Sequence, residues 1–142
     1  MSEEDIRGLD SRDRGILKGI LELSLPDAED QFLSKILSTI GIIGDPGSVL
    51  RIMELAKKID PDQEQEKWES IGEALVALGD ASLMVNFLDE DEKSRILSSE
   101  ILGRIGGEKE GKELSARIFS QEGYVKRAMT DALTHIGGPS SR

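Results

Sequence analysis

A short phrase closes an amphipathic stretch four times along the chain: Ile43-Gly44-Asp45, Leu78-Gly79-Asp80, Ile105-Gly106-Gly107 and Ile136-Gly137-Gly138. The glycines are 35, 27 and 31 residues apart. A period near thirty, with helical patterning between the punctuation marks, narrows the fold more than any other feature. Each unit is one supersecondary element that cannot bury its apolar face alone, so neighbours must stack. Arrays of this kind present surfaces and do not usually enclose a reactive centre.

Counting backwards from each glycine exposes a helix. One position before it stand Ile43, Leu78, Ile105 and Ile136; four before, Ile40, Leu75, Leu102 and Leu133; five before, Thr39, Ala74, Ile101 and Ala132; eight before, Ile36, Ile71, Ser98 and Met129. Offsets of 1, 4, 5 and 8 trace one stripe of an α-helix, which predicts a core-facing row broken only by Ser98. Small residues recur nearby at Gly41, Gly72, Gly103 and Ala128, as expected where helices press together. The rows two, six, nine, ten and thirteen before the glycine are predicted to point outward.

Glycine just past a helix can adopt the left-handed conformation that closes the last turn, the expectation at all four positions. Asp45 and Asp80 then offer carboxylates to cap the next helix, and Pro46 supplies a preset φ at its first position. First helices are predicted near 11–24, 46–59, 80–88 and 108–120, and second helices near 29–43, 64–78, 91–105 and 123–136. Leu25-Pro26-Asp27, Asp60-Pro61-Asp62, Asp89-Glu90 and Gln121-Glu122-Gly123 mark the breaks within pairs. Residues 2–9 suggest a short helical lead, with Ser2 and Asp5 spaced like a capping box, and the tail from Pro139 has no apolar anchor. The reading is an all-α chain: one α-solenoid domain over 1–142, of about four helical hairpins and eight helices (repeats near 9–44, 45–79, 80–106 and 107–138).

Composition supports helix-on-helix packing, because aromatics make up only 4% and aliphatic residues supply most of the apolar content. No stretch approaches the roughly 18 apolar residues of a membrane span. The start, Met1-Ser2-Glu3-Glu4-Asp5, is acidic where a secretory signal would be basic. Zero cysteines excludes disulfides and thiolate metal sites. A cytoplasmic protein is the expectation. The net charge of −10 repels nucleic acid and anionic membranes; it serves either solubility or a preference for a basic protein segment as partner.

The run Tyr124-Val125-Lys126-Arg127-Ala128-Met129-Thr130-Asp131-Ala132-Leu133-Thr134-His135-Ile136-Gly137-Gly138 resembles the second helix of a HEAT-like repeat of the phycobilisome-lyase type. Gly44 to Ala56 is similar to that family's opening helix, and the resemblance covers roughly residues 9–138. It implies stacked helical hairpins and is uninformative about activity, since such repeats occur in adaptors, chaperone-like factors and a few enzymes. The di-iron hydroxylase branch needs several His-Glu pairs, whereas this chain has one histidine, His135, followed by Ile136. The DNA-glycosylase branch uses a basic, aromatic concave face, which the acidic balance and lone Trp68 contradict. A bilin-lyase-like enzyme, or a chaperone for a cofactor-bearing protein, remains as one alternative, and a self-assembling structural module as another.

The preferred expectation is a non-catalytic scaffold with no cofactor or metal, binding its partner on a face lined by second helices. The row six before the glycine reads Ser38, Glu73, Glu100 and Asp131; Glu66 and Glu69 extend it in the second repeat, and Tyr124 and Arg127 interrupt it in the fourth. These residues form the candidate site, the alternative being an ordinary solvated helix face. In the family, the basic residue at Arg95 and Lys126 can reach an aspartate like Asp45 or Asp80 and set the repeat rotation. His135 reads as a helix-end histidine and Trp68 as a packing residue or loop anchor. The helix over 29–43 carries Phe32, Leu33, Ile36, Leu37, Ile40, Ile42 and Ile43, too many for one stripe. Either the segment before it covers this surplus and the chain is a monomer, or two copies meet there as a homodimer.

Overall fold

Capping side chains decide where the helices begin. Asp45 accepts the Ser48 amide while the Ser48 hydroxyl accepts the Asp45 amide, a reciprocal box with Pro46 at the first helical position. Asp80 accepts from the Leu83 amide, and Asp10 from the Asp13 amide. Gly107 has no side chain to offer, so Glu110 reaches back and accepts its amide at 2.8 Å. These contacts satisfy amides that the first helical turn leaves without partners.

The computed structural model describes residues 3–136. The helices are α1 (Glu3–Arg7), α2 (Ser11–Ser24), α3 (Asp30–Ile43), α4 (Pro46–Ala56), α5 (Gln65–Leu78), α6 (Ala81–Val85), α7 (Glu92–Ile105), α8 (Glu108–Ile118) and α9 (Gly123–Ile136). Short 3-10 turns follow α2 at Leu25–Asp27 and α6 at Asn86–Asp89. Among the described residues there is no strand. All eight expected helices are present; α4 stops three residues early, the third first-helix is split into α6 and its 3-10 turn, and α1, the short lead expected within residues 2–9, is a ninth among the described residues. The Ser2 cap, the fourth glycine at Gly137 and the tail from Pro139 lie outside the described residues.

Contacts divide the chain into two compact units, Met1–Leu78 and Gly79–Arg142, so the division falls at the second glycine punctuation. In the first unit α3 packs on α5, α1 and α2 lie on α3, and α4 lies on α5. Its core holds Leu33, Leu37 and Ile40 of α3, Val49, Ile52 and Met53 of α4, and Ile71, Ala74 and Leu75 of α5. In the second unit α7 packs on α9, α8 lies on α9, and α6 lies on α7. Met84, Leu88, Leu97, Ile101, Leu102, Leu114 and Met129 fill that core. Ser98 is buried in it too, its hydroxyl donating to the Arg95 carbonyl, which is how a serine occupies the apolar row.

Each unit makes the same close contacts at equivalent positions. A Cβ on Gly41 would lie 3.0 Å from Ala77 Cβ and 3.6 Å from Ala74 Cα; one on Gly103 would lie 3.0 Å from Ala132 Cα. Small residues therefore let α3 approach α5, and α7 approach α9. The left-handed expectation holds at Gly79, with φ 65°, and fails at Gly44 and Gly106, which are extended. Those two are glycines for lack of space instead. A Cβ on Gly44 would sit 2.6 Å from the Ile40 carbonyl oxygen and 2.8 Å from Leu78 Cδ2, and one on Gly106 would sit 2.6 Å from the Leu102 oxygen.

Three other expectations need correction. The buried stripe of α3 is Leu33, Leu37 and Ile40, while Ile36 and Thr39 are half-buried, because α1 and α2 pack against this helix from a different side. The row nine before the glycine is not uniformly outward: Leu97 and Ala128 are buried at the α7–α9 contact. In place of the expected pairing of Arg95 with a helix-starting aspartate, Arg95 donates to Gln121 Oε1 at 2.8 Å, and Asp45 pairs with Lys18 on α2.

Candidate functional site

The stripe that faces α5's core contacts is Ile71, Ala74 and Leu75, which turns Glu66, Glu69 and Glu73 outward along a neighbouring stripe. Opposite them α3 presents Ser34 and Ser38, one turn apart. With Ser70, Ala74 and Ala77 these residues line an open groove of about 540 Å³. The serines and alanines that line it are small, and its chemistry is three carboxylates beside three hydroxyls. The Ser70 hydroxyl donates to Ser34 Oγ at 3.2 Å, Ser38 donates to the Lys35 carbonyl, and Gln65 Nε2 donates to Glu69 Oε1. Carboxylates gathered along a protein-walled groove concentrate negative potential within it, which raises the local concentration of cations and basic side chains.

The structure thus brings Glu66, Glu69 and Glu73 together around one groove. Glu100, Tyr124, Arg127 and Asp131 belong to the second unit, on α7 and α9, and all four are exposed, Tyr124 at 73%. Counted from their glycines, Tyr124, Arg127 and Asp131 stand where Glu66, Glu69 and Glu73 stand in the first unit. The same helix–helix surface therefore carries an acidic face in one unit and a mixed face in the other. Charge pattern alone picks out Ser38 in this row but not Ser34, Ser70, Ala74 and Ala77, although Ser34 and Ser38 at helical spacing mark a stripe of small residues.

Two further clefts lie in the first unit. Ile6, Leu17, Leu21, Phe32, Lys35, Ile36 and Thr39 surround an apolar one of about 340 Å³. Glu22, Leu25, Pro26, Leu50, Arg51 and Glu54 help line a smaller one of about 230 Å³. Between α2 and α4, the buried Ser48 hydroxyl donates to Glu22 at 2.6 Å and Arg51 pairs with Glu22 at 3.4 Å. The hydrogen bond from Lys18 lowers the Asp45 carboxyl from its ordinary value and Asp45 raises Lys18 in return. In the second unit Arg117 grips Asp89 through two hydrogen bonds, which lowers the Asp89 carboxyl and raises the guanidinium.

His135 is exposed at the end of α9, its Nδ1 2.8 Å from the Asp131 carbonyl oxygen. Trp68 is half-buried on α5. Among the described residues no three His, Cys, Asp or Glu side chains gather in a way that could hold a metal ion. No helix among them is long and apolar enough to cross a membrane. No protein-family model matches the chain, and comparison with curated proteins and with solved structures finds no match.

Proposed function

We propose that this chain is a non-catalytic interaction scaffold whose α3–α5 groove takes a basic segment of a protein partner. One observation carries the reading: the residues lining the groove are three glutamates, three serines and two alanines, an acidic trough with a floor small enough to admit another chain's side chains. Lysine or arginine on the ligand meets Glu66, Glu69 and Glu73, and the hydroxyls accept or donate at the floor. Attraction of this kind acts mainly on the rate of encounter and on partner choice. The finer architecture within this reading is a HEAT-like solenoid, supported by the recurrence of the Gly41–Ala74 contact as Gly103–Ala132. Glu100, Tyr124, Arg127 and Asp131 form the second unit's counterpart of the binding face, and the cytoplasm is the proposed location.

The test uses a fluorescent peptide rich in lysine and arginine, titrated with protein and followed by anisotropy. Reversal of all three charges (Glu66→Lys, Glu69→Lys, Glu73→Lys) is expected to weaken binding on the order of tenfold or more, since each exposed pair contributes about 0–1 kcal/mol. Raising salt from 50 to 300 mM weakens wild-type binding in the same direction. An unchanged affinity in a triple variant that keeps its helical circular dichroism would remove this groove from consideration.

A further inference from the structure

Helix α2 carries apolar residues on two faces, Leu17 and Leu21 lining the cleft with Ile6 and Ile36 and a second set turned outward. Its charged residues Arg14, Lys18 and Glu22 turn toward the rest of the first unit: Arg14 donates to the Arg7 carbonyl, Lys18 pairs with Asp45, and Glu22 holds Ser48 and Arg51. Its apolar residues Ile16, Ile20 and Leu23 are 53%, 57% and 75% exposed, and no residue of the helix is buried. Phe32, also more than half exposed, stands at the rim of the cleft that Leu17 and Leu21 line. Single exposed apolar residues are ordinary, but a contiguous stripe of them marks a contact surface.

The stripe has an internal design. Arg12, Ile16, Gly19 and Leu23 follow the 4-3-4 spacing of a helix-pairing seam, with Ile20 beside it. Among the described residues nothing lies within 4 Å of where a Cβ on Gly15 or Gly19 would be, so none of them requires their smallness. Glycine inside a helix costs about 1 kcal/mol relative to alanine. On this face Gly19 is a notch between knobs.

We propose that α2 packs against α2 of a second copy of this chain, antiparallel about a two-fold axis. Such an interface must be self-complementary, since any contact of residue i with residue j recurs as j with i. The alignment that sets Ile16 of one copy into the Gly19 notch of the other does this along the whole seam. It also sets Ile20 against Gly15, and lays the Arg12 stem along Leu23. Charge favours the same face. With Arg14, Lys18 and Glu22 turned inward, the outward face of α2 carries only Arg12 and Asp13, which balance, in a chain of net charge −10, so two copies approach here against little repulsion. A 14-residue helix spans about 21 Å. A seam of that length buries on the order of 500 Å² per copy, near the lower bound for a specific interface. The dimer is therefore reversible and concentration-dependent.

Sedimentation velocity on the full chain tests this, and it does so independently of the α3–α5 groove. The weight-average mass is expected to rise from 15.5 kDa at low micromolar concentration toward twice that value at several hundred micromolar. Ile20→Glu should hold the chain at the lower mass throughout without changing its circular dichroism. Because the chain lacks cysteine, disulfide trapping reports orientation. Arg12→Cys combined with Leu23→Cys should give covalent dimers under oxidised glutathione, while either single variant should not. A 15.5 kDa species at every concentration, a dimer indifferent to Ile20→Glu, or equal trapping by the single variants would each overturn the proposal.

Discussion

Glycines in this chain have opposite meanings that only their surroundings reveal. At Gly44 an added Cβ meets the Ile40 carbonyl oxygen, Leu78 Cδ2 and Ser48 Oγ, all at 2.8 Å or less. The oxygen belongs to the last turn of α3 and cannot move aside without loosening that helix end. Gly44→Ala should therefore destabilise the chain by about 1–3 kcal/mol, as overpacking does. At Gly15 the same substitution meets open space in the middle of α2, and the lower entropy of the unfolded chain should stabilise by about 0.4–1 kcal/mol. Urea unfolding at low micromolar concentration compares the two. Shifts of the same sign would show that local helix propensity, and not space, governs both sites.

At the scale of elements, Asp45 both starts α4 and ties it to α2 through Lys18. Two variants separate these roles. Asp45→Asn keeps a good cap and loses the ion pair, which is partly exposed and should contribute no more than about 1 kcal/mol; Asp45→Ala loses the cap as well, a further 0.5–2 kcal/mol or so. The pair's share depends on pH. Lys18 holds the folded-state Asp45 carboxyl below its ordinary 3.8, so the folded chain releases that proton more readily than the unfolded one. The contribution is complete above the unfolded value and disappears as pH falls through the lower folded one. The stability gap between wild type and Asp45→Asn, measured by denaturant titration, should thus be flat from pH 7 to about 5 and close toward pH 2. A gap that persists at pH 2 would mean the cap chemistry, and not the charge, distinguishes them.

For the whole molecule the governing quantity is charge. Twenty-eight acidic residues against 18 basic ones leave a net −10, and repulsion among them opposes the folded state. Salt screens that repulsion over about 10 Å at 0.1 M, and it also weakens exposed pairs such as Arg7–Glu3 and Arg117–Asp89. Each pair is worth at most about 1 kcal/mol, so the many unlike-numbered charges dominate. Raising NaCl from 10 to 300 mM at pH 7 should lift the Tm by a few degrees, whereas near the sequence isoelectric point of about 4.6, with the net repulsion gone and the pairs still ionised, the same salt should lower it slightly. A Tm that falls with salt at pH 7 would show that the pairs outweigh the repulsion.

Helix positions were legible in the chain because they depend on local chemistry. Asp45-Pro46 and Asp80 start helices through bonds to amides two or three residues away, and the spacing of Ile71, Ala74 and Leu75 identifies a buried face from 3.6-residue periodicity alone. Glu66, Glu69 and Glu73 could be placed outward by the same arithmetic. What the pattern could not decide was set by contacts between elements distant in sequence. Leu37 is in the core while Ile36 is half out of it, Gly44 is small for Leu78 rather than for its own φ, and Lys18 finds Asp45. The second, outward apolar face of α2 is the clearest instance. Periodicity shows that a helix has an apolar side, but only its neighbours determine whether that side turns inward.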